Sequence, residues 1–193
     1  MISKFRIGVL VIILNFFASV AMIWGQDNPS LLQMAVPSLN IAPDARGGGM
    51  GDMGAATLPD INSQYWNAAK YAFMGSKAGV SLSYTPWLRK LVNDVALVNM
   101  TGYYKLGNSD LQAISASLRY FSLGEVNIWE NIGDVPYGLN PYEMAFDVAY
   151  SRKLSESYSM AVTLRYIRSD MGTDQNDESN AGNAFSADIS GYL

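Results

Sequence analysis

The sequence contains no cysteine and no histidine among its 193 residues. Without cysteine it can form neither disulfide bonds nor thiol redox centres, and zinc sites built on cysteine or histidine are excluded. Catalytic triads that use histidine as the general base are excluded too. Basic residues are few, with 13 lysines and arginines against 17 aspartates and glutamates. Because nucleic acid binding depends on basic patches, this balance argues against a nucleic acid partner.

The first 25 residues have the pattern of a secretory signal peptide. Lys4 and Arg6 precede an apolar run that extends from Ile7 to Trp24. The run approaches the roughly 18 residues that cross a bilayer as a helix, so a retained signal anchor is the alternative. Small residues around Gly25 offer a cleavage site, and we therefore expect residues 1–25 to be removed after export.

Residues 26–77 are rich in Gly, Pro, Asp and Asn and show no sustained hydrophobic period. We expect an irregular segment here. Residues 49–54 read GMGDMG, which matches the letters of the dinucleotide-binding G-x-G-x-x-G motif. No strand pattern precedes the motif, and Pro59 interrupts the helix that should follow it. We therefore interpret these glycines as positions of close backbone approach or positive φ in a packed segment.

From Ala78 onward, six short runs alternate apolar and polar residues. In the clearest run, Tyr142 to Ser151, Tyr142 and Phe146 fall on one face while Glu143 and Asp147 fall on the other. A length of about ten residues is that of a membrane-spanning β-strand. The predicted strands cover residues 80–84, 95–104, 112–122, 142–151, 158–166 and 185–193.

Short and long connections alternate between these strands. Outer-membrane barrels have short periplasmic turns and long external loops, so a periplasmic start places every long connection outside the cell. The sequence therefore predicts an all-β fold, a transmembrane antiparallel β-barrel embedded in outer-membrane lipid. The short connections are residues 107–110 and 154–157, and the long ones are residues 85–94, 124–141 and 170–183.

Aromatic residues at the strand ends fit the same topology. Tyr84 and Tyr120 fall at the predicted outer ends, and Tyr103 and Tyr150 at the predicted inner ends. Two such girdles are typical of the membrane interfaces of a barrel, although tyrosine also simply favours strands. A soluble periplasmic β-sandwich is the alternative, but it does not explain the alternation of short and long connections.

Charged residues fall on the strand faces that should point into the barrel. We predict an interior ion-pair network with a mainly structural role, because opposite charges inside a narrow barrel neutralise one another and hold strands in register. A catalytic pair of carboxylates is the alternative, but nothing nearby completes a recognisable hydrolase site. The predicted network comprises Arg119, Glu143, Asp147, Arg165 and Asp188.

Residues 41–57 read IAPDARGGGMGDMGAAT, and residues 66–73 read WNAAKYAF. This block closely resembles the N-terminal region of the PorV family, outer-membrane components of the type IX secretion system, and the resemblance continues to the C-terminus. PorV is similar in fold to FadL-type transporters, in which an N-terminal hatch fills the barrel. The resemblance implies a hatch at 26–77 and a barrel wall at 78–193. The hatch motif residues are Asp44, Arg46, Gly49, Gly51, Asp52 and Asn67.

The resemblance implies a role without catalysis or cofactor. PorV-like proteins bind the C-terminal signal domain of secreted cargo, receive the cargo from the translocon and deliver it to a cell-surface attachment complex. A FadL-like transporter of hydrophobic small molecules is the alternative. Apolar residues of the long external loops are the expected contacts, unless they anchor the loops at the membrane interface. They are Trp87, Trp129, Ile132, Tyr137 and Leu139.

The number of predicted strands is small for a closed barrel. Such barrels need at least about eight strands, and only six alternating runs are present. We therefore expect this chain to be a fragment that supplies the signal peptide, the hatch and part of the wall. Its sheet should then have two unpaired edges.

Overall fold

The computed structural model describes residues 36–87, 94–107, 111–128, 137–172 and 181–193. Within these residues, an N-terminal segment of short helices, residues 36–77, precedes eight strands that are all antiparallel to their neighbours. The predicted all-β antiparallel fold is therefore confirmed. Among the described residues, no helix is both long enough and apolar enough to cross a bilayer.

Six long strands form one sheet in which each strand pairs with the next long strand in the sequence, and the first and last of the six, Ala78–Pro86 and Gly182–Tyr192, are its edges. The other two strands, Val126–Ile128 and Tyr137–Leu139, form a separate hairpin inside the connection predicted at 124–141. Strands of three residues are too short to show alternation in the sequence. The bounds are β1 Ala78–Pro86, β2 Val95–Leu106, β3 Gln112–Leu123, β4 Val126–Ile128, β5 Tyr137–Leu139, β6 Tyr142–Lys153, β7 Ser159–Asp170 and β8 Gly182–Tyr192.

The two faces of the six-stranded sheet differ in chemistry because side chains alternate along each strand. One face is apolar and exposed: Val80 is 72% exposed, Leu164 63% and Ile189 74%. Soluble proteins rarely expose an apolar surface of this extent. The other face carries small and polar side chains, and the N-terminal segment covers it. Its buried residues include Thr101, Ala113, Ser115, Ala145, Ala149, Ser151, Ser159 and Ala161.

The sheet has two ends that are used below to place each contact. The long-loop end is where the long connections join the strands, near Pro86, Leu123 and Tyr142. The short-turn end is the opposite one, near Lys153 and Ser159. The N-terminal segment runs between them, because Ser38 contacts the first end and Ala69 contacts the second.

The N-terminal segment, expected to be irregular, is a series of short helical turns. Asp44 caps the helix Ala45–Gly49 by accepting a hydrogen bond from the Gly47 N–H at 2.6 Å, and Asn67 caps the helix Ala68–Phe73 by accepting one from the Ala69 N–H. Each helix is too short for a 3.6-residue period to be visible. The bounds are Pro37–Asn40 (3-10 helix), α1 Ala45–Gly49, α2 Ser63–Trp66 and Ala68–Phe73 (3-10 helix).

The placement of Tyr103 corrects one expectation. We predicted this residue at the inner aromatic girdle, but it is only 5% exposed and its ring stacks on Tyr71 with centroids 4.9 Å apart. Tyr104, its neighbour, points to the exposed face. Adjacent residues of a strand point to opposite faces, so only one of the two tyrosines can lie on the outside.

Candidate functional site

The peptide groups of Ser38 are held by two charged side chains from the sheet. Glu143 Oε2 accepts a hydrogen bond from the Ser38 N–H at 2.9 Å, and Arg119 Nη1 donates to the Ser38 carbonyl oxygen at 2.9 Å. Glu143 is 1% exposed, Arg119 5% and Ser38 2%. Charge-assisted hydrogen bonds are among the strongest in proteins, so this contact fixes the start of the described chain at the long-loop end.

Tyr65 completes the surroundings of this peptide. Its hydroxyl donates to the Leu39 carbonyl oxygen at 3.0 Å, and its ring lies 4.4 Å from the Arg119 guanidinium carbon. Stacking on an aromatic face keeps the guanidinium plane in a fixed orientation. Further along the segment, Ser83 of β1 donates to the Pro43 carbonyl oxygen at 2.6 Å.

A second charged group lies within the sheet itself. Arg165 Nε lies 2.6 Å from Asp147 Oδ1, and Arg165 Nη1 lies 3.7 Å from Asp188 Oδ2. Ser117 donates to the other oxygen of Asp147 at 3.1 Å. Asp147 and Arg165 face each other directly in the β6–β7 register, so this pair stabilises that register.

The five charged residues of the predicted network therefore divide into two groups. Arg165, Asp147 and Asp188 lie together across three strands, whereas Arg119 and Glu143 bind main-chain groups of the N-terminal segment. Within the described residues, no salt bridge joins Arg119 or Glu143 to an opposite charge. The sequence contained no indication of Ser38 or Tyr65 as partners.

The indole of Trp66 connects the earlier and later parts of the N-terminal segment. Its Nε1 donates to Asp44 Oδ1 at 3.1 Å, and its ring fits between two glycines. A Cβ atom added at Gly47 would lie 2.7 Å from the ring, and one added at Gly54 would lie 2.2 Å from it. Real Cβ atoms do not approach so closely, so both positions require glycine.

The glycines predicted in the hatch motif have different roles. Gly51 adopts a φ of 70°, a backbone conformation that favours glycine. Asp52 follows it with a φ of 61°. Gly49 ends α1, and a Cβ atom there would meet nothing within 4 Å. Arg46 forms an exposed ion pair with Asp60 at 3.3 Å.

Neutral hydrogen-bonding groups, together with a cation–π contact between Lys153 and the Phe73 ring, hold the segment at the short-turn end. Ser159 Oγ donates to the Ala69 carbonyl oxygen at 2.7 Å, and Asn67 Nδ2 donates to the Gly191 carbonyl oxygen at 2.8 Å. The Tyr71 hydroxyl accepts from the Gln64 N–H and donates to the Ile61 carbonyl oxygen, at 2.9 and 2.8 Å. Burial raises the pKa of this phenol above its ordinary value.

Lys70 is fully buried beside these groups. Its ammonium donates to the Gly54 carbonyl oxygen at 2.6 Å and to Thr57 Oγ1 at 3.4 Å. Burial lowers the pKa of Lys70, although nearby Asp60 opposes the shift. A lone lysine inside the apolar run AKYAF was the one sequence feature that could have marked this contact.

The predicted external contact residues are only partly described. Trp87 is 40% exposed, and its N–H donates to the Val95 carbonyl oxygen at 2.9 Å, which closes the long-loop end of the β1–β2 pair. Leu139 is half-buried at the end of β5. Trp129 and Ile132 lie outside the described residues. Tyr137 begins β5, but its side chain is not among those described.

A single antiparallel sheet with one exposed apolar face, whose polar face is covered by an N-terminal segment, is typical of the wall of a membrane β-barrel. The sequence matches the family model of the type IX secretion system protein PorV over residues 25–193. The chain belongs to this family, whose members are outer-membrane components of the type IX secretion system and not enzymes. A search of curated proteins found no match.

Proposed function

We propose that this protein binds the C-terminal signal domain of secreted cargo, receives it from the outer-membrane translocon and delivers it to the surface attachment complex. The family match over residues 25–193 carries this proposal. In the same proposal, residues 1–25 are removed as a signal peptide, 26–77 form a hatch and 78–193 form part of a lipid-embedded wall. The role requires no catalysis.

The chemistry of the covered sheet face argues against transport of hydrophobic small molecules along it. Asn99, Thr101 and Ser117 line this face together with the charged groups described above. An apolar molecule crossing here would have to displace hydrogen-bonded polar groups, which is unfavourable. A FadL-like transport role therefore has no support from the described residues.

Trp87 and Leu139 are the described members of the proposed cargo contact. Both lie at the long-loop end of the sheet, Trp87 exposed and Leu139 half-buried, and aromatic side chains such as that of Trp87 commonly supply much of the energy of protein interfaces. Leu154, which is 58% exposed at the short-turn end, offers a matched control.

The proposal is tested by purifying the complete protein from outer membranes and identifying what accompanies it by mass spectrometry. Proteins that share a C-terminal signal domain should co-purify. Trp87→Ala and Leu139→Ala should each reduce their recovery severalfold, whereas Leu154→Ala should not. Recovery of bound lipid without any such protein would support the transport role and contradict cargo binding.

A further inference from the structure

Arg119 and Glu143 are neighbours on the covered face of the sheet. In the β3–β6 register Arg119 lies opposite Ala145, and Glu143 lies opposite Phe121. The two charged residues are therefore diagonal partners, offset by two positions on adjacent antiparallel strands. Diagonal pairs lie about 7–8 Å apart, which is within reach of long side chains. The two side chains could therefore bind each other if nothing lay between them.

In the structure, the Ser38 peptide groups occupy that position. The N–H is bound to the carboxylate and the carbonyl oxygen to the guanidinium. The second carboxylate oxygen of Glu143 is buried and has no hydrogen-bond partner among the described residues. An unsatisfied buried acceptor is costly, and a direct bond from Arg119 would satisfy it.

We propose that Arg119 and Glu143 form a two-state clamp. In one state the clamp holds the Ser38 peptide and keeps residues 36–40 against the sheet. In the other state residues 36–40 move away from the sheet, and the side chains of Arg119 and Glu143 form a direct cross-strand ion pair.

The direct ion pair is what makes release feasible. Removing a bound group from a buried charge normally leaves that charge uncompensated, at a large cost. Here departure of Ser38 frees two opposite charges at once, and each compensates the other. Other contacts of the outer part of the segment include hydrogen bonds from the neutral hydroxyls of Tyr65 and Ser83. The clamp therefore allows the long-loop end of the segment to open while the short-turn end stays bound.

The absence of cysteine from these 193 residues helps a direct test, because Ser38→Cys then introduces the only thiol of this part of the protein. Any cysteine elsewhere in the full-length protein is first replaced by serine. The full-length protein in outer membranes is treated with a water-soluble maleimide, and the labelling rate at position 38 is measured. The double variant Arg119→Glu with Glu143→Arg keeps the direct ion pair but presents the wrong charge to each Ser38 group. It should raise the labelling rate about tenfold or more, since two charge-assisted hydrogen bonds are lost.

Two controls separate the clamp from general loosening. Ser159→Cys, which is fully buried at the short-turn end, should stay protected in the same double variant. The exchange Arg165→Asp with Asp147→Arg alters an ion pair that does not touch Ser38, and should leave position 38 protected. Unchanged labelling at position 38 in the Arg119/Glu143 exchange would overturn the proposal, and so would equal labelling in both exchanges.

A third variant decides the matter if the Arg119/Glu143 exchange unfolds the protein and exposes position 159. Glu143→Gln keeps an oxygen acceptor for the Ser38 N–H but cannot form an ion pair with Arg119. The open state is then disfavoured, so the labelling rate at position 38 should equal the rate measured with native Glu143 or fall below it. A clear increase would contradict the two-state clamp.

Discussion

Residues 36–44 and residues 63–73 lie on the same face of the same sheet, but they are held there in different ways. The first stretch is bound at Ser38 through the charged groups of Glu143 and Arg119. The second is bound through neutral hydrogen bonds, such as that from Ser159, by stacking of Tyr71 on Tyr103, and by cation–π contacts of Lys153 with Phe73 and of Lys70 with Tyr192. These contacts include no pair of opposite charges that could compensate each other if the stretch left the sheet. The charged contacts of Ser38 include such a pair, which makes the long-loop end the part of the segment suited to opening.

The largest effect is expected where the two stretches meet, at the ring of Trp66. Gly54→Ala places a Cβ atom 2.2 Å from this ring, so the indole or the backbone must move. We expect a loss of about 3 kcal/mol in the free energy of unfolding, with both stretches loosened together. Protease resistance of residues 36–77 in detergent measures the effect.

Gly49→Ala is the matched control, because its new Cβ atom meets nothing within 4 Å and alanine is favoured in a helix. It should leave protease resistance unchanged or slightly raised. Equal sensitivity of the two variants would mean that Trp66 does not connect the two stretches.

A smaller effect is expected at the short-turn end. Tyr71→Phe removes a buried hydroxyl and leaves the Gln64 N–H and the Ile61 carbonyl oxygen without this partner. We expect a loss of about 2 kcal/mol in the free energy of unfolding, measured by urea titration in detergent. Tyr65→Phe, which removes a single hydrogen bond to Leu39 at the long-loop end, should cost about half as much. The reverse order would contradict the larger contribution expected from the hydroxyl of Tyr71.

The same tyrosine predicts a pH dependence. Burial raises the pKa of the Tyr71 phenol above 10.0, so in alkaline solution the unfolded chain loses this proton before the folded chain does. The contribution of Tyr71 to stability is therefore complete below about pH 10 and declines as the pH rises above that value. Urea titrations between about pH 8 and pH 11 should show a steeper alkaline decline in the native protein than in Tyr71→Phe. Parallel curves would contradict the prediction.

The smallest effect is expected for the exposed ion pair of Arg46 and Asp60. Arg46→Ala should change the free energy of unfolding by no more than about 0.5 kcal/mol, because solvent screens exposed pairs. Asp60→Ala should cost more, since the carboxylate also accepts hydrogen bonds from the Asn62 N–H and the Ser63 hydroxyl. Equal effects of the two substitutions would show that these local hydrogen bonds contribute nothing measurable.

The strands could be predicted from the sequence because their alternation is local. Residues 142–151 alternate over ten positions, and β6 extends over that run with Glu143 and Asp147 on the covered face. The short hairpin of β4 and β5 could not be predicted, since three residues show no period. Arg165 pairs with Asp147 because the two residues lie opposite each other on adjacent strands. A pair of this kind can be predicted once the order of the strands is known.

The candidate site depends on contacts of another kind. Gly54 requires glycine because of Trp66, twelve residues later, and nothing in the GMGDMG motif indicates that partner. Gly49, a member of the predicted motif, meets no neighbour at all. A glycine pattern shows that the backbone is special, but it does not show which ring lies against it.

By itself the sequence determined the antiparallel sheet, the face to which each strand residue points and the family to which the chain belongs. The physical reason is that a strand repeats every two residues, so chemistry along the chain specifies the side of the sheet. Only the tertiary structure decided what the charged residues bind. Ser38 is 105 positions from Glu143 and 81 from Arg119, and their hydrogen bonds join side chains to main-chain groups that every residue possesses. No local pattern can encode a contact of that kind.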